Sequence, residues 1–202
     1  MCKPARRTEF MILEGLVTTI SPDGTPRLAP MGPKVESDMS RFLLRPFPTS
    51  QTYQNLLKHG EGVLHTTDDA LMMAKAAVGA VGSFPPARAA SVVRGSVLTG
   101  ACRYFEFRVR SIDTSEPRVR IEAEVVATGV LREFFGFNRA KHAVIEAAIL
   151  ATRLTLLPRE EIEAEFRKLR VIVEKTGGPD EFEAMTFLEA HTQHHYSAEA
   201  AR

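Results

Sequence analysis

The segment from Arg45 to Thr52 combines one guanidinium group with three side-chain hydroxyls. An apolar stretch ends at Arg45–Phe47, and a helix is predicted to begin near Thr49. The first turn of a helix has unpaired N–H groups and the positive end of the helix dipole, which together favour an anion. The hydroxyls of Thr49, Ser50 and Thr52 can donate to phosphate oxygens, and Arg45 supplies a fork of donors. The pattern indicates a phosphate site, although ordinary helix capping explains the same hydroxyls without a ligand.

A second group of polar residues, His65, Thr66 and Thr67, lies where another predicted strand runs into a helix. Capping of that helix by Thr67 or Asp68 is the simpler interpretation. The functional interpretation places these strand-end groups around a flat ring, with His65 and Thr66 donating hydrogen bonds to its heteroatoms.

The stretch Ala29–Pro33 places two prolines and a glycine inside a predicted strand. Proline has no N–H for a strand ladder, and glycine permits close approach of another group to the backbone. We therefore expect an edge strand or a bulge here, where the backbone closely approaches another group.

The elements that must position these residues are short strands followed by helices. Alternating or continuous apolar runs, separated by turn signals such as Ser21–Thr25, predict six strands in an antiparallel arrangement. Two helices are predicted between them, over Thr49–His59 and Asp68–Val78. The fold class is mainly β with α (α+β), a six-stranded antiparallel barrel. The predicted strands are Phe10–Ile20, Arg27–Val35, Arg41–Phe47, Gly62–Thr67, Tyr104–Ile112 and Arg118–Thr128.

The last third of the chain has a different pattern. Ten of the 12 prolines and 11 of the 13 glycines precede Asn138, and helical apolar stripes follow it. Helices are predicted over Arg139–Leu154, from Pro158 to Gly177, and over Asp180–Ala190. The predicted domains are a barrel over 1–138 and a helical subdomain over 139–202 that packs on the barrel. A solvated tail is the simpler interpretation of the histidine cluster that follows, His191, His194 and His195, with a metal site as the alternative.

Composition excludes several classes of protein. A net charge of +1 offers no general attraction for nucleic acid, and two cysteines are too few for a disulfide framework. The basic N-terminal residues precede no apolar signal segment, and no apolar run is long enough to span a membrane. We expect a cytoplasmic protein without nucleic-acid or membrane partners.

The sequence resembles a known family, the domain of unknown function 447, a branch of the FMN-binding split β-barrel proteins that is similar to flavin reductases. The matching residues occur in the family's order over most of the chain. They are Met11-Ile-Leu-Glu-Gly-Leu-Val-Thr-Thr-Ile20, Ala29-Pro-Met-Gly32, Arg45-Pro-Phe, Thr52-Tyr-Gln-Asn-Leu56, Thr67-Asp-Asp69, Glu146-Ala-Ala-Ile-Leu-Ala-Thr-Arg153 and Val173-Glu-Lys-Thr-Gly-Gly178.

The resemblance implies a six-stranded split barrel and a homodimer with one FMN in each of two grooves between the subunits. It also implies a role for each group of site residues. Arg45, Thr49, Ser50 and Thr52 would hold the FMN phosphate, and Met31 and Gly32 would face the isoalloxazine ring. Thr66 and Thr67 would lie near the ring or the ribityl chain, and Asn55 would brace the phosphate loop.

One position departs from the family pattern, because His65 stands where the resemblance leads us to expect asparagine. An imidazole can still hydrogen-bond, and its charge could titrate near neutrality and alter the flavin's electronics. The segment Gly79–Gly100 is also individual to this chain, and we expect a mobile loop over or beside the site. The arginines at 103, 108, 110, 118 and 120 form a basic hairpin, interpreted as a solvated face or as an arm that recognises an acidic substrate.

These features support three hypotheses about function. The first is an FMN-binding oxidoreductase of the flavin reductase-like type that acts on a small molecule, with a pterin as the substrate suggested by family context. The second is a non-catalytic module that binds or stores flavin. The third is a structural dimer without a cofactor, which requires the Arg45–Thr52 segment to be only a helix cap.

Overall fold

The computed structural model describes residues 10–200 of the 202-residue chain. Its main sheet has eight strands, all pairing with antiparallel neighbours, in the order β1-β4-β5-β10-β9-β6-β2-β3. Two further strands, β7 (Ala87–Ala89) and β8 (Ser96–Leu98), pair only with each other. The strands of the main sheet are β1 (Met11–Ile12), β2 (Gly15–Ile20), β3 (Pro26–Met31), β4 (Lys34–Val35), β5 (Arg41–Leu44), β6 (Glu61–Thr66), β9 (Arg103–Asp113) and β10 (Arg120–Val130).

The predicted α+β class with an antiparallel sheet is confirmed, but the predicted number of strands is corrected from six to eight. Two of the six predicted strands are each broken into a pair, since β1 and β2 share one and β3 and β4 share the other. The members of each pair lie at opposite ends of the strand order. Only three residue steps join Met31 to Lys34, and each step covers at most about 3.6 Å. The sheet must therefore curl until its two ends approach each other, which makes a half-barrel.

The interior of the curled sheet is filled by the alternate residues of its strands. On β9, Phe105 and Phe107 are buried among Leu44, Leu64 and Ile121. Phe107 meets Phe42 edge to face, with ring centroids 5.1 Å apart. Because successive side chains of a strand point to opposite faces, the residues between these inward-facing ones point to the outer face of the sheet.

The predicted mobile loop at Gly79–Gly100 is instead organised around the β7–β8 hairpin. Thr18 on β2 donates a hydrogen bond of 2.6 Å to the carbonyl oxygen of Ser96 on β8. Val97 and Val93 pack on Val63 of β6, on the face opposite the barrel interior. The hairpin is thus fixed to the main sheet by hydrogen bonds and apolar contacts.

Five helices complete the described residues: α1 (Gln51–His59), α2 (Ala70–Ala77), α3 (Arg139–Ala151), α4 (Arg159–Thr176) and α5 (Pro179–Ala200). The chain divides into two compact units. The first comprises the residues up to Thr67 together with Phe84–Glu133, and the second comprises Asp68–Ser83 and the residues from Phe134 onward. Helix α2, which the sequence analysis assigned to the barrel, therefore belongs to the helical unit. None of the helices within residues 10–200 is both long and apolar enough to cross a membrane.

The helical unit has its own apolar core, in which α2, α3, α4 and α5 pack together. Helix α5 continues to Ala200, so the prediction of a solvated tail after Ala190 is wrong. Leu188, Thr192 and Tyr196 are buried at successive intervals of four residues along α5. Because two of these three residues are polar, the apolar pattern ends at Leu188 although the helix continues.

Candidate functional site

The connection between β5 and α1 brings together the residues predicted to bind phosphate. Ser50 is the N-cap of α1: its hydroxyl accepts a hydrogen bond from the Tyr53 N–H and donates one to the Phe47 carbonyl oxygen. The capping interpretation of Ser50 is therefore correct. By helix geometry, the N–H groups of Gln51 and Thr52 have no partner within the helix and remain for an anion.

Thr49 and Thr52 differ in their access to a ligand. The side chain of Thr49 is exposed just before the cap, whereas Thr52 is buried in the first turn of α1. The helix is held against β2 by Asn55, which is completely buried and donates a 2.9 Å hydrogen bond to the hydroxyl of Thr19. The side-chain amide of Gln51, one turn earlier, donates to the side-chain oxygen Oδ1 of Asn55. Asn55 thus ties the first turn of α1 to β2.

Arg45 follows β5 directly and is only partly satisfied by the protein. Its Nη2 donates to a carboxylate oxygen of Glu116 at 2.9 Å. Its Nε is buried and has no hydrogen-bond acceptor among the described residues. An unsatisfied buried donor is uncommon in folded proteins and indicates an absent partner or a second arrangement of the side chain. A phosphate oxygen is an acceptor suited to this donor.

The pairing register brings the end of β3 to this connection. Lys34 of β4 pairs with Leu43 of β5. Gly32 and Arg45 lie two residues beyond this pair on their respective segments, so the antiparallel register directs them toward each other. Gly32 itself lies against Ile12 and Glu14, since a side chain at this position would meet both.

A row of paired residues runs from the end of β3 across β2 to β6. Met31 on β3 pairs with Gly15 on β2, and the next residue of β2, Leu16, pairs with His65 on β6. Thr66 therefore lies across from Gly15. A side chain at Gly15 would come within 2.6 Å of the His65 carbonyl oxygen, so glycine allows these strands to approach closely. The register brings Met31, Gly32, Arg45 and Thr66 into one region of the sheet.

The imidazole of His65 faces away from this region and is fully engaged by the backbone. His65 is completely buried; its Nδ1 lies 3.1 Å from the Leu16 carbonyl oxygen, and its Nε2 accepts a 3.0 Å hydrogen bond from the Leu98 N–H. These partners require a neutral ring with its proton on Nδ1. Burial lowers the pKa of His65 to about 4, against a smaller upward effect of the Leu16 hydrogen bond. The expected titration near neutrality is therefore wrong.

Strand alternation separates the side chain of His65 from that of Thr66. His65 shares a face with Val63, which packs under the β7–β8 hairpin, and Thr66 shares the opposite face with Leu64. Thr66 and Thr67 are both half-buried at the end of β6, and the Thr66 carbonyl oxygen accepts from the Cys102 N–H at 2.9 Å. The two threonines remain accessible to a ligand, whereas the imidazole does not.

Two glutamates near these elements make hydrogen bonds that the sequence analysis did not predict. Glu106 on β9 is buried and accepts four hydrogen bonds from the turn of the β7–β8 hairpin, two from Ser91 and one each from the N–H groups of Val92 and Val93. Burial alone would raise the pKa of Glu106, but these hydrogen bonds outweigh it and hold the pKa below its ordinary value. Glu116 is the partner of Arg45. No local pattern indicates either interaction, because the partners are distant in sequence.

The basic hairpin β9–β10 is largely paired with acidic residues. Arg108 pairs with Glu61 and Arg110 with Glu124, while Arg120 lies 3.6 Å from Glu116. These pairs favour the solvated-face interpretation for most of the hairpin. Within residues 10–200, no group of three or more His, Cys, Asp and Glu residues is arranged to hold a metal ion, and the His191 cluster lies on α5.

Comparison with solved structures shows the same architecture in flavin-binding proteins. The chain is similar to an FMN-bound DUF447 protein from Methanosarcina mazei, with a TM-score of 0.77, 21% identity, and coverage of 91% of this chain and 96% of that one. It is also similar to the flavin reductase of styrene monooxygenase from Pseudomonas putida S12 (TM-score 0.51, 15% identity, 60% and 82% coverage). Flavoredoxin from Methanosarcina acetivorans is a third similar structure (TM-score 0.51, 10% identity, 64% and 76% coverage). At these identities the similarity shows a shared fold.

Comparison with curated proteins gave no match. Two family models match the sequence itself. The N-terminal domain of the protein of unknown function DUF447 matches residues 13–132, and the DUF447 C-terminal region matches residues 138–190. Together these matches cover nearly all of the barrel and most of the helical unit, and the chain belongs to the DUF447 family.

Proposed function

We propose that this protein binds FMN and that Arg45 and the start of α1 hold the FMN phosphate. The observation that carries the proposal is the set of unpaired donors between β5 and α1. The buried Nε of Arg45 has no acceptor within residues 10–200, and the first N–H groups of α1 have no partner within the helix. The proposal is supported by a fold shared with an FMN-bound protein of the same family.

The flavin ring would lie along the row that leads away from Arg45. In this arrangement Met31 and Gly32 offer backbone at the bend of the sheet, and Thr66 and Thr67 offer polar groups at the end of β6. His65 would contribute indirectly, by fixing Leu98 and the β7–β8 hairpin behind β6. The phosphate and the ring would thus be held by different strands of one curled sheet.

The proposed activity is that of an oxidoreductase of the flavin reductase-like type acting on a small molecule. FMN would supply hydride and electron transfer, and the protein would supply binding, orientation and exclusion of water. A pterin is the candidate substrate suggested by family context. We further propose a cytoplasmic homodimer with FMN at the subunit interface; the exposure of Phe10, Met11 and Ile12 at the β1 end of the sheet supports an interface between barrels.

One observation favours the alternative, a flavin-binding module without turnover. Among the nine predicted site residues, all of which the structure describes, His65 is the only one whose side chain ordinarily titrates near neutral pH, and both of its ring nitrogens are occupied. The predicted site therefore provides flavin binding without an acid or base of its own. Anaerobic mixing with NADH or NADPH separates the two functions, because bleaching of bound FMN followed by substrate-dependent reoxidation supports only the oxidoreductase.

The test of the binding site is a fluorescence titration of the protein with FMN and with riboflavin, which lacks the phosphate. Replacing Arg45 with alanine (Arg45→Ala) should weaken FMN binding by about 10- to 100-fold, because hydrogen bonds to charged groups contribute roughly 1.5–3 kcal/mol. Riboflavin binding should remain unchanged.

Arg41→Ala is the matched control, since Arg41 begins β5, the strand that Arg45 follows, and also pairs with a glutamate, Glu36. If the wild-type protein leaves FMN fluorescence unperturbed, the proposed function fails. Equal FMN affinity in Arg45→Ala and wild type would contradict the phosphate assignment alone.

A further inference from the structure

Glu116, in the turn between β9 and β10, accepts from a donor of Arg45 that the proposed phosphate site requires. One of its carboxylate oxygens accepts from Arg45 at 2.9 Å, and the other lies 3.6 Å from Arg120. The same turn carries Arg118, whose guanidinium lies 4.2 Å from the centre of the Phe47 ring. The turn is therefore docked on the β5–α1 connection by two contacts that are independent of any ligand.

A carboxylate and a phosphate bind the same donors, since both accept hydrogen bonds from guanidinium groups in bidentate geometry. While Arg45 is directed at Glu116, its Nε is buried and makes no hydrogen bond to the part of the chain that the structure describes. Engaging a phosphate through both Nε and Nη2 requires Arg45 to reorient and to give up part of its contact with Glu116. The glutamate charge would also repel a phosphate bound beside it.

We propose that Glu116 competes with the flavin phosphate for Arg45 and so sets how strongly the protein distinguishes FMN from riboflavin. This inference rests on the proposed function. Riboflavin has no group that competes for Arg45, so the competition weakens only the phosphorylated ligand. Glu116 is then a specificity-determining residue that lowers the preference for FMN.

The size of the effect follows from the exposure of the pair. The side chains of Arg45 and Glu116 are 36% and 44% exposed, and an exposed ion pair contributes little because solvent screens it. Removing the competitor should therefore strengthen FMN binding about two- to fivefold.

The experiment compares the affinities of Glu116→Gln and wild type for FMN and riboflavin by fluorescence titration. We expect tighter FMN binding, unchanged riboflavin binding, and the same pattern for Glu116→Ala. Glu124→Gln is the control, because it removes one negative charge, paired with Arg110, from the same β9–β10 hairpin. The control should bind both ligands as the wild type does.

A background with Arg45→Ala tests whether the effect passes through Arg45. The gain from Glu116→Gln should shrink in that background, and an undiminished gain would overturn the competition in favour of a general charge effect. FMN binding by Glu116→Gln that is equal to or weaker than that of wild type would also overturn it. The outcome is separate from failure of the proposed function, in which neither the wild type nor any variant binds FMN.

Discussion

The imidazole of His65 makes stability depend on pH. Its folded-state pKa is about 4, below the ordinary value of 6.5, because burial disfavours the charged ring. Above pH 6.5 the ring is neutral in both the folded and the unfolded chain. Between pH 6.5 and 4 only the unfolded chain takes up the proton, so stability falls as the pH falls. Each pKa unit corresponds to about 1.4 kcal/mol, which gives a loss of about 3 kcal/mol across this range.

Urea unfolding of wild type and His65→Asn at several pH values measures this contribution. Asparagine cannot titrate, and it cannot serve both Leu16 and Leu98 as the imidazole does. The variant should be less stable at pH 7 by about 1–3 kcal/mol. It should lose about 3 kcal/mol less than the wild type between pH 6.5 and 4. Parallel pH curves for the two proteins would contradict the neutral buried imidazole, and His142→Asn controls for loss of an exposed histidine.

Individual residues also show which parts of the site could be predicted from sequence. Capping, which the sequence analysis left open beside a phosphate site, applies to Ser50, and its signal is local because a cap bonds to residues three positions away. The contact of Arg45 with Glu116 was not predicted, since it depends on where the β9–β10 turn lies in the folded sheet. The orientation of His65 depends on which face of β6 is covered, and this information is absent from the β6 sequence.

At the scale of elements, the β7–β8 hairpin depends on one buried carboxylate. Glu106→Gln places an amide where four donors now converge, so at least one N–H or hydroxyl of the turn is left without an acceptor. We expect a loss of about 2 kcal/mol in the free energy of unfolding. Amide exchange at Ser91, Val92 and Val93 should accelerate, as measured by NMR or mass spectrometry.

The control for this prediction is Glu122→Gln, which alters an exposed glutamate on β10. Unchanged exchange at Ser91–Val93 in Glu106→Gln would show that the turn does not depend on the carboxylate. Because the pKa of Glu106 is lower in the folded protein than its ordinary value of 4.5, the carboxylate stabilises the fold at pH values above 4.5. This contribution is lost as the pH falls through the lower folded-state pKa. The Glu106→Gln variant should lack that part of the acid sensitivity.

The strands of the main sheet and the helices were predicted in the right places, but the breaks within strands and the end of α5 were not. Alternation and turn residues identified all six long segments of the barrel, because one face of each is buried. The breaks within the segments were not predicted, since they arise where a strand leaves one neighbour and joins another at the opposite end of the sheet. Helix α5 was predicted too short because Thr192 and Tyr196 continue its buried face with polar residues.

At the scale of the whole molecule, the proposed interface determines the mass in solution. We expect light scattering to give twice the 22.4 kDa of one chain, both with and without FMN. Ile12→Lys, at an exposed apolar position on β1, should shift the mass toward that of the single chain and weaken FMN binding with it. Leu156→Lys is the control at another exposed apolar residue, outside the barrel. A wild-type monomer that binds FMN would contradict a site shared between subunits.

The strand order also has a consequence for synthesis on the ribosome. Strand β5 pairs with β4 as soon as both have emerged, but its other neighbour is β10, so Leu44 cannot meet Ile121 until most of the barrel has been translated. Such long-range pairing is slow, because a large loop must close before its contacts form. The edge of β5 beside Arg45 thus stays open in the nascent chain, and a chain interrupted before β10 would expose it to aggregation.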